Sequence, residues 1–132
     1  MIGEGRHEEG RCGSTPITPG MLIKLDSDGR YIPNDGSDPS EKLFALEDAL
    51  QGRTINDAYA EDELVAIGVQ HAGDVVYAML DEGENASIGS FLQSAGNGSL
   101  AVSTTNPVAV ALEALDLSAS DSEGVRIRVR IL

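Results

Sequence analysis

Residues 74–102, DVVYAMLDEGENASIGSFLQSAGNGSLAV, narrow the possible folds more than any other stretch of the chain. In an extended chain Val75, Tyr77 and Met79 point to one side, and Val76, Ala78 and Leu80 to the other. Both sets are apolar, which predicts a strand covered on both faces. The run Asp81-Glu82-Gly83-Glu84-Asn85 then breaks the pattern with charge and a glycine. A second apolar run follows over 88–94, and Asn97-Gly98 stands between it and a third at 100–102. Asn-Gly between two apolar runs is the strongest short-range hairpin signal, because both central residues of the tightest hairpin turn need positive φ. Three short strands on tight turns predict a compact meander with no reactive constellation in it, and so a scaffold.

The rest of the chain keeps this grain. Short apolar runs recur at 21–25 (MLIKL), 30–32, 42–46 (KLFAL), 64–69 and 108–115 (VAVALEAL). They are separated by Gly, Pro, Asn and Asp, which punctuate strands. At 132 residues with no Trp and 4% aromatics, a single core must be built from Val, Ile, Leu and Ala. The chain closes with VRIRVRIL at 125–132, where alternation is strict. Val125, Ile127, Val129 and Ile131 are expected inward, and Arg126, Arg128 and Arg130 outward. The expected fold is all-β: a small antiparallel β-barrel or sandwich over residues 16–132, one domain. Residues 1–15, polar and aperiodic, read as an extended, flexible N-terminal arm. Residues 47–60 read as one long loop excursion with a single helical turn, since Gly52, Asn56 and Asp57 interrupt anything longer.

The net charge of −13 (pI about 4.3) opposes binding to nucleic acid, which needs clustered Lys and Arg to neutralise phosphates, and to anionic membrane. Between residues 54 and 124 there is no Lys or Arg at all, so a third of the nine basic side chains sit on one face of the last strand. That row is too short for a nucleic-acid stripe, and pairing with carboxylates of a neighbouring strand or subunit is expected. A single cysteine, Cys12, excludes an internal disulfide and fits a reducing compartment. The first residues contain no hydrophobic signal region, so export by that route is not expected, and no apolar run reaches the length of a bilayer span.

Reactive groups are sparse. His7 and Cys12 are five apart, but a closed zinc site needs four ligands and the other histidine is the isolated His71. Asp26-Ser27-Asp28-Gly29 has hairpin chemistry without the remaining ligands of a calcium loop. Glu61-Asp62-Glu63 reads as a solvated strand entry. There is no Gly-rich phosphate loop followed by Lys, no G-x-S-x-G, no H-E-x-x-H and no C-x-x-C. No catalytic, cofactor or metal residue is assigned, and the chain is not expected to be an enzyme.

Ile17-Thr18-Pro19-Gly20-Met21-Leu22, Phe44-Ala45-Leu46-Glu47-Asp48, Gln51-Gly52-Arg53-Thr54-Ile55-Asn56-Asp57-Ala58-Tyr59, residues 73–80 with Ile88-Gly89-Ser90-Phe91-Leu92, Gly96-Asn97-Gly98-Ser99-Leu100 and residues 108–114 together form a pattern. It resembles the capsid decoration, or cement, proteins of tailed bacteriophages, from about residue 16 onwards. The resemblance implies a small β-rich domain, typically a homo-oligomer with a trimer favoured and a dimer possible. Such a domain sits on the outer capsid surface of the virion, assembled in the bacterial host cytoplasm, and holds major capsid protein subunits together. No nucleic-acid or membrane partner is implied. The alternative is a virion-surface binding module, such as a head-fibre base or a receptor- or carbohydrate-contacting domain. The candidate interface residues are Arg126, Arg128, Arg130, Arg6, Arg11, Arg53, Asn56 and Tyr59.

Overall fold

In the computed structural model the chain is all-β. The structure describes residues 6–36, 42–46, 58–118 and 125–132. The described strands are β1 (Arg6–Arg11), β2 (Leu22–Leu25), β3 (Tyr31–Pro33), β4 (Leu43–Ala45), β5 (Leu64–Val69), β6 (Val75–Leu80), β7 (Asn85–Ala86), β8 (Phe91–Ser94), β9 (Leu100–Val102), β10 (Ala109–Ala111), β11 (Leu115–Asp116) and β12 (Val125–Ile131). Five of them, in the order β10-β12-β6-β9-β8, close into a barrel. Five others form a sheet in the order β1-β5-β4-β2-β3, and β7 pairs with β11 in a small ribbon.

The terminal strand behaves as its alternation demands. Ile127, Val129 and Ile131 are buried in the barrel, and β12 is zipped antiparallel to β6 along its length, from Val125↔Leu80 to Arg130↔Val75. Val125, at the strand's start, is exposed, because the inward row begins only where the barrel wall is complete. The hairpin is also present, but not on a two-residue Asn-Gly turn: β8 and β9 pair antiparallel, and Ala95 N–H donates to Ser99 O (2.9 Å) across Gly96-Asn97-Gly98, where the two glycines and not Asn97 take the positive φ.

The meander is not. The neighbours of β6 are β12, at the far end of the chain, and β9, which it meets in parallel through the single pair Leu80↔Leu100. Local periodicity carries no information about such non-local pairing. The covering of β6 is also uneven. Val76, Ala78 and Leu80 are buried in the barrel, whereas on the other side only Met79 is buried and Tyr77 is exposed. Met79 is roofed by the Pro19–Gly20 turn, whose Gly20 O accepts from Met79 N–H (3.0 Å). The run at 108–115 likewise divides, with β10 ending at Ala111 and Leu115–Asp116 turning away to pair with β7.

Residues 6–11 of the expected arm are a strand. β1 pairs antiparallel with β5 over six residues, Arg6↔Val69 to Arg11↔Leu64. The polar sequence conceals this because the pairing is made by backbone, which carries no apolar signature. Cys12 and Ile17, also within or next to the expected arm, are fully buried. The sheet curls until its ends meet: Cys12 bridges Tyr31 in parallel, and Gly13 N–H donates to Tyr31 O (2.8 Å). Gly10 is required there, since a Cβ at that position would fall into the Tyr31 ring. Of the expected excursion, residues 47–57 lie outside the described residues; Ala58 to Ala60 run extended, with Tyr59 bridging Ile17.

Two cores result, sharing a wall. Leu22 and Phe44 face the barrel core with Val76, Leu92 and Ile127, while Ile23, Leu43 and Ala45 face a second core with Cys12, Ile17, Tyr59 and Val65. Strands β2 and β4 therefore carry apolar residues on both faces. A cycle of three backbone hydrogen bonds joins the halves: Leu22 N–H to Gly98 O (2.8 Å), Gly98 N–H to Asn34 O (3.1 Å) and Asn34 N–H to Leu22 O (2.8 Å).

Candidate functional site

The outer wall of the barrel gathers residues that the chain otherwise keeps apart. The register aligns Val75, Arg130, Val110 and Phe91 in one transverse row over β6, β12, β10 and β8. The next row sets Tyr77 opposite Arg128. Leu112 follows, its N–H donating to Arg128 O (2.9 Å). Arg128 and Arg130 are exposed, Tyr77 and Phe91 are about 40% exposed (38% and 43%), and Val75, Val110 and Leu112 are half-buried. Neither Arg128 nor Arg130 forms an ion pair among the described residues. The carboxylate at the margin, Glu113, is turned onto the backbone, accepting from Arg128 N–H (3.0 Å).

This composition is that of an interface core: aromatic residues and arginine, with Lys, Asp and Glu depleted. On a chain with 22 acidic residues, a face on which no described carboxylate pairs with the arginines is a departure from the average surface. The register also sets apolar residues on either side of each arginine, Tyr77 and Leu112 beside Arg128 and Val75 and Val110 beside Arg130, and a carboxylate that covered them would be partly desolvated and held more strongly than in open water.

The three terminal arginines are not equivalent. Arg126 is half-buried, and its Nε donates to Pro19 O (3.1 Å), fastening the 18–21 turn against the barrel. Of the expected row, two members remain for a partner. Arg6 and Arg11 stand at the two ends of β1, and Arg11 Nη1 donates to Asp62 O (2.8 Å). Arg53 and Asn56 lie outside the described residues. Tyr59, expected at an interface, is a core residue. It is 1% exposed, and its hydroxyl donates to Leu46 O and accepts from Ala66 N–H (3.5 Å). An aromatic between turn formers looks like a surface anchor in sequence; here its hydroxyl satisfies buried backbone instead. Sequence reasoning missed Tyr77 and Phe91 as partners of the arginines, because it expected both faces of the strand at 75–80 to be covered, whereas Tyr77 is exposed.

The acidic turns serve the scaffold. Arg30 bridges Glu61 and Asp62 (both 3.3 Å), tying the β2–β3 hairpin to the entry of β5. Asp62 sits at a φ of 66°, and Asp tolerates this left-handed conformation better than most residues. Asp26 Oδ1 accepts from the N–H groups of Asp28 (2.8 Å) and Arg30 (3.0 Å), so the Asp-x-Asp-Gly run is a hairpin turn. Cys12 is buried, and that burial raises its thiol pKa; Glu63, Glu61 and Asp62 add to the effect, while a backbone hydrogen bond from Ile17 opposes it. Asp116 is held below the usual carboxylate range by hydrogen bonds from the Ser118 hydroxyl and N–H.

An open cleft lined by Thr18, Met21, Met79, Asp81, Glu82, Asn97 and Ser99 carries two carboxylates, and Asp81 accepts from Asn97 Nδ2 (3.1 Å). A second, lined by Leu22, Asn34, Gln93, Ser94, Thr105 and Val108 among others, has no ionisable group among its described lining residues. No family model matches the chain, and no curated protein matches it.

Proposed function

We propose that this chain is a structural virion protein that binds the outside of a phage capsid and stabilises contacts between major capsid subunits. The observation that carries the reading is the barrel face of Tyr77, Phe91, Arg128 and Arg130, an interface-like surface on an otherwise acidic body. The resemblance in spacing to capsid decoration proteins supports it. So does the construction of the molecule, two cores fastened through a shared wall, which presents that face on a rigid platform. A protein that binds the assembled lattice and not free subunits stabilises the lattice by mass action. Several modest contacts per oligomer add up through effective concentration. The trimer favoured above belongs to this proposal, as does the outer virion surface as location; no catalytic step is assigned.

The test is co-sedimentation of the full chain with capsids of its own phage from which the protein has been stripped. Saturable binding, accompanied by a higher capsid melting temperature, is the expected result. Failure to bind stripped capsids overturns the reading.

A further inference from the structure

We infer that the outer barrel face takes an acidic segment of a partner protein, one that presents two carboxylates about 7 Å apart to Arg128 and Arg130. The inference rests on the capsid-docking reading and specifies the chemistry of what lies on the face. Arg128 and Arg130 are two residues apart on one strand, with side chains on the same side, which sets their origins about 6.6–6.8 Å apart. Each is a planar fork that matches a carboxylate in a bidentate pair. Each also has apolar neighbours across the strands: Tyr77 and Leu112 beside Arg128, Val75 and Val110 beside Arg130. The partner segment therefore carries aliphatic or aromatic side chains on both sides of its acid pair, and these cover Tyr77 and Phe91.

Charge complementarity argues for a protein carboxylate over a polyphosphate. Two arginines on a chain of net charge −13 cannot offset the repulsion of a nucleic-acid backbone, whose affinity scales with the number of phosphates neutralised. A second copy of this chain is a poor occupant for a different reason. Its described carboxylates are largely engaged within their own copy: Asp26 and Glu84 on backbone N–H groups, Glu61 and Asp62 on Arg30, Asp81 on Asn97, Glu113 beneath Arg128. Pairing the two arginines with these groups would break contacts that hold the scaffold together.

The test has two arms, both using the full chain. In the first, a resin bears a peptide with the sequence Leu-Ser-Glu-Ser-Glu-Ser-Leu between glycine spacers, which when extended turns both Glu and both flanking Leu to one side, and a control resin bears the same peptide with Gln for Glu. At about 0.15 M salt, interactions beyond about 8 Å are screened, so contact chemistry decides the outcome. A protein of net charge −13 has no general affinity for a carboxylate surface. Retention on the Glu resin, absence from the Gln resin, and loss of retention in an Arg128→Gln/Arg130→Gln variant is the expected pattern. Passage of the wild type straight through the Glu resin overturns the inference. In the second arm, the double variant binds stripped capsids about tenfold more weakly or worse, as expected when charges paired at a desolvated contact are lost. Its melting temperature and oligomeric state are unchanged, and Arg30→Gln, whose guanidinium holds an internal turn, keeps capsid binding.

Full capsid binding by the double variant overturns the inference and leaves the docking reading standing. Failure of the wild type to bind capsids, with Arg-dependent retention on the Glu resin, does the reverse. A changed oligomeric state in the double variant makes a second copy the occupant, and Arg-dependent binding of a 20-nucleotide single strand makes it a nucleic acid; either overturns the assignment.

Discussion

Gly98→Ala tests the junction between the two halves of the molecule. Gly98 has a φ of 88°, in the left-handed region where a Cβ crowds the following carbonyl. That conformation costs a non-glycine residue about 1–2 kcal/mol. The added Cβ would also meet Pro33 Cβ at 3.0 Å, Met21 Sδ at 3.1 Å and Met21 Cγ at 3.2 Å. Pro33 is rigid and belongs to β3, so relief requires moving backbone, and overpacking of this kind costs about 1–3 kcal/mol. The expected loss is about 2–5 kcal/mol in all. Gly83→Ala is the control: Gly83 has a φ of 81°, but nothing within 4 Å of its Cβ position. It should lose only the conformational part, about 1–2 kcal/mol. Urea unfolding of the two variants, read from the midpoint and slope, gives the difference directly. Equal losses would refute the argument that Gly98 is required by packing at the junction rather than by its turn alone. A lower slope in Gly98→Ala, with two transitions, would show that the hydrogen-bond cycle Leu22–Gly98–Asn34 is what makes the two cores unfold together.

Tyr59→Phe leaves the Leu46 carbonyl without its buried donor and should cost about 1–3 kcal/mol by thermal unfolding, whereas an interface tyrosine would change only binding. Ile127→Ala, at a site with no exposure, should cost about 2–5 kcal/mol; a loss below about 1 kcal/mol would contradict the assigned register of β12. Cys12 has a folded pKa raised above that of the unfolded thiol, so its contribution to stability is complete below about pH 8.5 and is lost as the pH rises through the folded value. The difference in Tm between wild type and Cys12→Ala should accordingly shift against the wild type as the pH rises above about 8.5, and a constant difference would refute the assignment.

The all-β class, the inward and outward sides of β12 and the β8–β9 hairpin were legible in the sequence because each depends on residues within a few positions of one another. What was not legible depends on distant partners. Arg6–Arg11 has no apolar alternation, and becomes a strand because β5 offers it a complete hydrogen-bonding edge. β6 reads as part of a meander until β12 takes the place beside it. The arginine row was visible as a row, but not the withdrawal of Arg126 by the Pro19 carbonyl, 107 positions away in the chain. Nor did the sequence disclose that Phe91 would reach the same face by way of Val110.

The closed barrel has a consequence for life at high density. An open sheet ends in unpaired N–H and C=O groups that recruit any neighbouring strand, and proteins packed side by side are the most exposed to that hazard. Here the barrel strands β6, β8, β9, β10 and β12 each have a neighbour on both sides. In the other sheet the ends meet at Cys12 and Tyr31, and beyond that bridge the outermost strands are β3, where Pro33 has no N–H to offer, and β1, whose sequence RHEEGR places four charged residues in six. Both are standard obstacles to edge-to-edge pairing. Among the described residues, the barrel and the five-stranded sheet thus offer little edge for copies standing shoulder to shoulder to zip into amyloid-like ribbons, and contact through these two bodies is left to side chains, which can be tuned one substitution at a time.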